Sequence, residues 1–470
     1  MFEKEIKLSF LIVAILFLLI GCGANTGADN ILSNSNLPVA TERIEEIVEE
    51  NAQEKIEECV EIDDANEWNT IESESQTIGA FTYDVYASKD GKCAYIYHID
   101  IADSNNASTL RIPEEINGKI VTCIGAVLEE VFDECSEIAA DGRNVFGEEV
   151  YFEGKRQYQD LSSKVKNIEL PRTITDIKEC TFAYMSNLEN ITLNEGITYI
   201  SKEMCFGCDS LKKVELPITI EDIDASAFSG CKAIENIFID ENSENFKVYD
   251  KFVMRKKDNA LVYCFARDDN FEIPNTIQVI GTRAFANCKM DNIKIPASVI
   301  KIEEQAFSMV HKKDYSYSRK NEIHNITVDK NSEAYGKDGH TIYDKRDGSL
   351  VVAIAEGKSQ NSKYIMSDKV TRLDKNNSVI NYKGDLNTIY ASKNLSKIDG
   401  ANINCYYKDF HFQNEKVPEI VLDEEGVAPL PLCDSIYVPK NADNDYREIY
   451  RMYKCGNDEC IERLEHWNVE

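Results

Sequence analysis

Residues 168–236 read IELPRTITDIKECTFAYMSNLEN, ITLNEGITYISKEMCFGCDSLKK and VELPITIEDIDASAFSGCKAIEN, three segments that align without a gap. They begin at Ile168, Ile191 and Val214, so the period is 23 residues. Four further apolar positions recur at the same spacing: Ile174, Ile197 and Ile220; Ile177, Ile200 and Ile223; Phe182, Cys205 and Phe228; Leu188, Leu211 and Ile234. A constant period of this kind indicates a repeat architecture built from equivalent coils.

Further copies of the pattern lie on both sides of these segments. They begin at Leu110, Phe271, Ile293, Tyr364 and Ile389. Ile436-Tyr437-Val438-Pro439 has the form of a last strand. Three stretches depart from the period, namely 310–320, 374–386 and 399–434. The sequence therefore predicts a long repeat region but leaves the number of coils in its C-terminal third open.

The spacing within one unit indicates its local structure. Ile168-Glu169-Leu170 is a short strand with two side chains inward and one outward, and Pro171 ends it because proline cannot donate to the ladder. The following apolar pair turns the chain, and a compact 3₁₀ or helical corner centred on Phe182 completes the unit. One unit cannot cover its own apolar side, so like residues of successive units must stack. Each stacked Ile, Leu or Phe contributes about 1.5–3 kcal/mol, and a solenoid with a parallel sheet results.

Two inserts interrupt the repeat and duplicate each other. Residues 239–246 (IDENSENF) match residues 328–335 (VDKNSEAY) at an offset of 89 residues. Behind them, Asp258-Asn259 and Asp347-Gly348 lie between apolar runs, which is the signature of a β-hairpin turn. A third hairpin over residues 86–93 precedes the first coil. The sequence predicts that it caps the solenoid.

These segments resemble a known family. IEDIDASAFSGCKAIENIFI (220–239) and IPNTIQVIGTRAFANC (273–288) are similar to the BspA-like branch of bacterial leucine-rich-repeat proteins. The resemblance covers roughly residues 79–450, including the Asp-x-Asn-Ser inserts and a terminal cap with Val438, Pro439 and Tyr446. It implies a leucine-rich-repeat solenoid with short parallel strands, turn or helical corners and hairpin inserts. It also implies a surface or secreted protein, and several members are associated with adhesion to host proteins or other cells.

The amino terminus suggests how the chain is held at a membrane. An uncharged, mostly apolar stretch runs over residues 8–21, too short for a spanning helix but suited to a signal peptide. It ends in Leu19-Ile20-Gly21-Cys22, which resembles the lipobox of bacterial lipoproteins. That resemblance implies cleavage before Cys22, attachment of a diacylglyceryl group to its thiol, and retention on the outer face of a membrane. The alternative is an ordinary cleaved signal with a chance cysteine.

The rest of the chain divides by composition. Residues 41–61 hold nine Glu and apolar residues at roughly helical spacing, so a short amphipathic helix is expected within a charged tether. The expected domains are the lipoprotein signal peptide 1–21, the acidic tether 22–78, the solenoid with its hairpin and C-terminal caps 79–450, and a charged tail 451–470. With 52 basic and 83 acidic residues the formal charge is −31, which argues against a nucleic-acid partner.

The outward positions of the strands are the candidate ligand-binding face. They are Glu169, Thr192, Glu215, Phe238, Glu272 and Lys294, with Thr327 continuing the row. This row mixes charges with one aromatic residue, as a recognition surface does, although an ordinary solvated sheet face has the same composition. The residues just before the strands are Asn in six of seven units, which favours a side-chain hydrogen-bond ladder over a second binding row.

Catalytic and metal-binding patterns are missing from the sequence. Cys205 and Cys208 have the spacing of a redox or zinc pair, but the repeat register places both in the core, where a small thiol packs well. The six histidines are scattered, and no phosphate-binding loop or nucleophile elbow occurs. We therefore expect no catalytic residue, no metal and no cofactor.

The leading hypothesis is a lipid-anchored cell-surface protein that binds a macromolecule, with adhesion or host interaction as its role. Its partners would be the membrane, through lipidated Cys22, and a protein or glycan of a host or neighbouring cell. One alternative is an envelope scaffold that only spaces or shields. An enzyme with its site in the irregular residues 399–434 is the third, and no motif there supports it.

Overall fold

The computed structural model describes residues 68–125, 144–146, 162–266, 272–285, 288, 292–307, 323, 325–355, 363–374, 378–381, 386–399, 407–421, 435–442, 444–446 and 467–469. The expected signal peptide, Cys22, the tether up to residue 67 and most of the C-terminal tail lie outside these residues. The described chain is a β-solenoid of about ten coils with almost no helix, as the repeat predicts. None of its helices has the length and apolar character needed to cross a membrane.

A sheet of longer strands caps the N-terminal end. Its strands are β1 (Trp68–Ile78), β2 (Phe81–Ser88), β3 (Cys93–Ile101), β5 (Glu115–Ile116) and β6 (Lys119–Ile124). β1, β2 and β3 form an antiparallel meander, and Gly91 in the β2–β3 turn has a φ of 73°, which favours glycine. The predicted hairpin cap is therefore present. Because β1 already pairs with β2, the cap begins at Trp68 and the boundary expected at residue 79 falls inside the β1–β2 hairpin.

One short strand from each coil forms the first row of the solenoid. Its members are β4 (Thr109–Arg111), β7 (Asn167–Glu169), β9 (Asn190–Thr192), β11 (Lys213–Glu215) and β13 (Asn236–Phe238). Neighbours pair in parallel, and the register stacks Ile168, Ile191, Val214 and Ile237 in one buried column. The columns that the 23-residue period predicts are confirmed.

A second row of two-residue strands follows the turn after each first-row strand; this turn begins with proline in most coils and with Asn194 in the coil of Tyr199. Its members are β8 (Asp176–Ile177), β10 (Tyr199–Ile200), β12 (Asp222–Ile223), β17 (Val279–Ile280) and β19 (Lys301–Ile302). β8 pairs with β6 of the cap, β10 with β12, and β17 with β19, all in parallel. The second residue of each strand points inward, so that Ile200 and Ile280 are fully buried. These strands form the second wall of the coil.

The corner of each coil is a series of tight turns. The peptide N–H of Phe182 donates to the carbonyl of Met204 in the next coil at 2.8 Å, and that of Cys205 donates to Ala227 at 2.8 Å. Within one corner, Ala227 N–H donates to the Asp224 carbonyl three residues earlier. The corners are therefore built from turns, which is one of the forms that the sequence predicts beside helical structure. In the described residues, helical structure is limited to the 3₁₀ helix Ser162–Lys164 and one turn at 444–446.

The Cys205-x-x-Cys208 pair lies in the core, as its register predicts. Both side chains are fully buried, and both thiols are free. Cys208 Sγ donates to the carbonyl of Phe182 at 3.0 Å, and Cys231 Sγ donates to that of Cys205 at 3.0 Å. The thiol of each coil thus satisfies a carbonyl of the preceding coil. Burial raises the pKa of Cys208 and Cys231 well above the usual thiol value, so neither is a reactive thiolate.

The two duplicated inserts fold as matching three-stranded meanders. The first contains β14 (Phe246–Tyr249), β15 (Phe252–Arg255) and β16 (Ala260–Cys264), and the second contains β21 (Tyr335–Asp338), β22 (Thr341–Asp344) and β23 (Leu350–Ala355). Asn259 and Gly348 have φ values of 53° and 75° in the two predicted hairpin turns. Asp240 Oδ1 accepts the N–H of Asn242 at 2.8 Å, as Asp329 Oδ1 accepts that of Asn331 at 2.9 Å. Between the inserts, β18 (Asn292–Ile295) pairs with β20 (Asn325–Val328) in parallel.

The C-terminal third continues the solenoid in two rows. One contains β24 (Lys363–Ile365), β27 (Leu386–Tyr390), β29 (Tyr407–His411), β31 (Ser435–Val438) and β32 (Trp467–Val469), and the other contains β25 (Arg372–Asp374), β28 (Lys397–Asp399) and β30 (Glu419–Val421). β26 (Ser378–Asn381) pairs with β23. β26, β29 and β30 therefore lie in stretches that depart from the sequence period, which shows that the coil persists where its pattern weakens.

The C-terminal cap is anchored by Tyr446. Its ring is fully buried, its hydroxyl lies 3.1 Å from both the backbone oxygen and the side-chain oxygen of Asn414, and its N–H donates to the Ala442 carbonyl at 3.1 Å. The expectation that Ile436–Pro439 is the last strand is wrong, because β32 pairs with β31 in parallel. No repeat pattern marks β32, since its residues lie in the segment expected to be a charged tail.

Replacing Phe228 by alanine should lower the free energy of unfolding by about 3–5 kcal/mol, because the ring is buried in the corner column and its loss leaves a cavity. Denaturant titration measures the change. Phe238→Ala is the matched control, since Phe238 is 49% exposed and its truncation should cost less than about 1 kcal/mol. Equal losses in the two variants would contradict the stacked column.

Tyr446→Phe should lower the free energy of unfolding of the C-terminal coils by about 1–3 kcal/mol, because Asn414 loses the partner of its buried oxygens. Hydrogen exchange of the amides of β29 and β31 localises the effect. Tyr437→Phe is the control, since Tyr437 lies on the outward face of β31. Unchanged protection of both strands in Tyr446→Phe would show that the cap does not depend on this hydroxyl.

Candidate functional site

The outward residues of the first row of strands stand side by side. We call Arg111, Glu169, Thr192, Glu215 and Phe238 the N-terminal row. Each occupies the last position of its strand, directly after a buried residue of the core column. Because parallel neighbours are about 4.8 Å apart, the row presents five adjacent side chains on one face. Four of the six residues that the sequence selects for a binding face are therefore brought together.

The charged members of the N-terminal row pair with each other or with the residue beside them. Arg111 Nε and Nη2 donate to the two carboxylate oxygens of Glu169 at 2.8 and 3.1 Å. Thr192 Oγ1 donates to Glu215 Oε2 at 3.0 Å, and Lys213 forms an ion pair with Glu215. The hydrogen bond from Lys213 lowers the pKa of Glu215, and that from Thr192 adds to the effect. The row is charged but locally neutralised.

Phe238 is the apolar end of the N-terminal row. Its ring is 49% exposed, and Lys213 Nζ lies 5.1 Å from the ring centroid. A cation over an aromatic face is an attractive contact of modest strength at an exposed position. An exposed aromatic ring beside charged groups is the composition typical of a recognition surface.

Among the described residues, the remaining two predicted residues lie outside the five-stranded sheet that carries this row. Lys294 is in β18, where it pairs with Thr327 of β20, and its Nζ lies 3.3 Å from Asp329 Oδ2. Glu272 is exposed and belongs to no described strand. The first insert separates both from the N-terminal row along the chain. Adjacency within the predicted face is therefore observed for Glu169, Thr192, Glu215 and Phe238, whereas Glu272 and Lys294 stay predicted members of it.

The asparagine residues before the strands form a partial ladder. Asn190 Nδ2 donates to Asn167 Oδ1 at 2.8 Å, and Asn325 Nδ2 donates to Asn292 Oδ1 at 3.2 Å. Lys213 and Asn236 continue the row without such a bond between them. The predicted hydrogen-bond ladder is confirmed at these two junctions, so these amides serve the sheet and not a ligand.

A second outward row lies in the C-terminal sheet, and the sequence reasoning missed it. We call Ile365, Tyr390, His411 and Tyr437 the C-terminal row, since they follow the buried column of Tyr364, Ile389, Phe410 and Ile436 in register. The rings of Tyr390 and His411 stack at 4.4 Å between centroids, and those of His411 and Tyr437 at 4.1 Å. Ile365 is 57% exposed, whereas His411 is only 6% exposed because the two tyrosine rings cover it. This row is aromatic where the N-terminal row is charged.

The signal for the C-terminal row was present in part. Tyr390 follows Ile389, and Tyr437 follows Ile436, as Thr192 follows Ile191, so the register alone places both rings outward. His411 falls inside residues 399–434, where the pattern departs from the period. Only the pairing of β29 with β27 and β31 brings it between the two tyrosines.

One group of metal-ligating side chains also lies outside the two rows. Within the described residues, ligand atoms of Asp84, His98 and Asp100 in the cap come within 4.8 Å of one another. His98 Nδ1 is 3.1 Å from Asp84 Oδ2 and 4.0 Å from Asp100 Oδ2. Nothing in the sequence indicates this group, because residue spacing does not reveal a cross-strand pair.

Comparison with known proteins supports the repeat. The family model described as the BspA type leucine rich repeat region matches residues 154–250 and 257–336 of this chain, with six copies of the repeat. No curated protein matches the chain. The matched residues contain β7 to β14 and β16 to β20, which include the stacked columns described above.

Solved structures with a similar chain course come from several bacteria. A leucine rich cell surface protein from Faecalibacterium prausnitzii A2-165 is 19% identical, with 69% of this chain and 90% of that chain covered and a TM-score of 0.31. A leucine-rich repeat protein from Eubacterium ventriosum ATCC 27560 is 16% identical, with coverages of 79% and 80% and a TM-score of 0.29. The pneumococcal vaccine antigen PcpA is 13% identical, with coverages of 84% and 98% and a TM-score of 0.26.

At these identities and TM-scores the solved structures add no argument about function. The assignment rests on the six matched repeats together with the parallel columns of this chain. Residues 154–250 and 257–336 of this chain are therefore repeats of the BspA-type leucine-rich-repeat family.

Proposed function

We propose that this protein is a lipid-anchored cell-surface protein that binds a macromolecular ligand, a protein or glycan of a host or neighbouring cell. The observation that carries the proposal is the N-terminal row, in which Arg111, Glu169, Thr192, Glu215 and Phe238 lie adjacent on one rigid sheet. A repeat solenoid holds such a row in fixed geometry, so a ligand that contacts several coils loses little entropy in ordering them.

The composition of the two rows supports a binding role. Interfaces are enriched in aromatic residues and Arg, and their strongest contacts are aromatic or Arg side chains. Phe238 and Arg111 bound the N-terminal row, and Tyr390 and Tyr437 flank His411 in the C-terminal row. The N-terminal row offers charge and hydrogen bonds, whereas the C-terminal row offers apolar surface.

The net charge of the chain restricts the class of partner that it can bind. The formal charge of −31 repels a phosphate backbone, so the proposed ligand is not a nucleic acid. Anchoring at the membrane would come from Cys22, which follows an apolar stretch of signal-peptide length. The proposed role needs no catalysis, and BspA-type leucine-rich-repeat solenoids are typically non-enzymatic.

A scaffold without a ligand is the alternative, and one observation favours it. Arg111 with Glu169 and Lys213 with Glu215 already satisfy each other's charges, as in a solvated sheet face. A ligand that binds the N-terminal row has to compete with these pairs. Because exposed ion pairs contribute only about 0.2–1 kcal/mol each, that competition is weak.

The full chain, presented on an array of host proteins and glycans, should retain at least one ligand. Replacing both Glu215 and Phe238 by alanine should weaken binding at least about tenfold, because the row loses its aromatic contact and its central carboxylate. The melting temperature should stay unchanged, since both side chains point outward.

Glu244→Ala combined with Tyr249→Ala is the matched control, because both residues are exposed and lie in the first insert. The control should bind like the unaltered chain. Absence of any retained ligand, together with unchanged adhesion after deletion of the gene, would favour the scaffold. A fall in melting temperature in the Glu215 and Phe238 variant would show that these side chains belong to the core.

Cells supplied with an alkyne-labelled fatty acid should incorporate the label into this protein at Cys22. Cys22→Ser should abolish the label, because the thioether to the diacylglyceryl group cannot form. Cys59→Ser is the control and should keep the label, since residue 59 lies within the expected tether. Label retained in Cys22→Ser would reject the anchor.

A further inference from the structure

The cap sheet carries a polar cross-strand row on its outward face. Ser75 of β1 pairs with Asp84 of β2, and Asp84 pairs with His98 of β3. Asp100 lies two residues beyond His98 on the same strand and therefore on the same face. The neighbouring Tyr83, Val85 and Ile99 are buried in the core, so the alternation fixes the polar side chains outward.

The backbone at this point is not a regular ladder. The register of β2 and β3 shifts between Asp84 and Val85, so that Tyr97 is the extra residue of a bulge. A β-bulge re-aims the side chains beside it and is over-represented next to functional sites. Here it directly adjoins the pair of Asp84 and His98.

The distances between the ligand atoms of the three residues are compatible with a bound metal ion. His98 Nδ1 lies 3.1 Å from Asp84 Oδ2 and 4.0 Å from Asp100 Oδ2, and the three ligand atoms lie within 4.8 Å of one another. A tetrahedral zinc ion with bonds of about 2.0–2.2 Å separates its ligands by about 3.3 Å. Small rotations of Asp84 and Asp100 would therefore bring all three atoms to bonding distance.

One carboxylate is already oriented. Ser75 Oγ donates to Asp84 Oδ1, which leaves Oδ2 facing His98. Hydrogen bonds of this kind hold metal ligands in position. The side chains of Asp84 and His98 are about three-quarters covered and that of Asp100 is more than half exposed, so solvent can supply the remaining ligand.

We propose that Asp84, His98 and Asp100 form a binding site for a divalent transition-metal ion of the zinc type. The imidazole nitrogen distinguishes this class of cation from calcium and magnesium, which prefer oxygen ligands alone. The bound ion would tie β2 to β3 and stabilise the cap that covers the first coil. The site is separate from both outward rows and does not depend on the proposed ligand.

Titration of the purified full-length protein with zinc chloride, in the presence of excess magnesium, tests the site by calorimetry. Excess magnesium occupies exposed carboxylates elsewhere on this acidic chain. We expect one zinc ion per chain, and a melting temperature that rises with zinc. Cobalt(II) in place of zinc should give visible absorption bands of a site with a nitrogen ligand.

His98→Gln and Asp84→Asn should each weaken zinc binding at least about tenfold, and Ser75→Ala, which removes the orienting hydrogen bond, should weaken it about tenfold. His340→Gln and Asp103→Asn are matched controls, since both residues lie outside the group; His340 is exposed and Asp103 is partly exposed. The melting temperature without metal shows whether each variant folds. Zinc affinity and cobalt absorption that are the same in His98→Gln as in the unaltered chain would overturn the proposal, leaving an ordinary cross-strand ion pair.

Discussion

Parallel hydrogen bonding between coils of constant length is the constraint on which this structure depends. In the corners, the peptide N–H of Phe182 donates to the carbonyl of Met204 in the next coil, and that of Cys205 donates to the carbonyl of Ala227. The strands of the first row also form parallel backbone hydrogen bonds with those of the next coil. Each side chain is therefore held beside its equivalent 23 residues away. A buried column accepts apolar residues that pack on their equivalents in the next coil, as Phe182, Cys205 and Phe228 do. Equivalent positions in successive coils therefore also form thiol-to-carbonyl hydrogen bonds and an asparagine ladder.

The same constraint determines which residues of the repeat lie on the outward face of the strands. In the first-row strands, the residue after each member of the buried column faces outward, whatever its side chain, because the column fixes the register. In the first coils this rule produces a charged row bounded by Arg111 and Phe238. In the last coils it produces stacked rings of Tyr390, His411 and Tyr437. Two inserts intervene between these surfaces, so one fold carries two rows of different chemistry.

The N-terminal cap is an antiparallel sheet and is not built from repeated coils. Its long antiparallel strands pair residues that are distant in sequence, and a bulge beside Asp84 alters which side chains meet. Ser75, Asp84 and His98 become neighbours across three strands for this reason. In the solenoid a change at a buried column position disturbs the coils above and below, whereas the antiparallel strands of the cap are not bound to the repeat.

Local spacing was enough to predict the coils, the buried columns, the hairpin turns at Asp258-Asn259 and Asp347-Gly348, and the core position of Cys205 and Cys208, because a constant period makes that spacing visible. The folded chain was needed to show that β29 continues the sheet within residues 399–434, that β32 extends it, and that His98 meets Asp84. Each of these depends on which strands pair across a break in the period or within an antiparallel sheet. Residue spacing carries no information about such pairing, because backbone hydrogen bonds form between any two strands that the surrounding packing brings together.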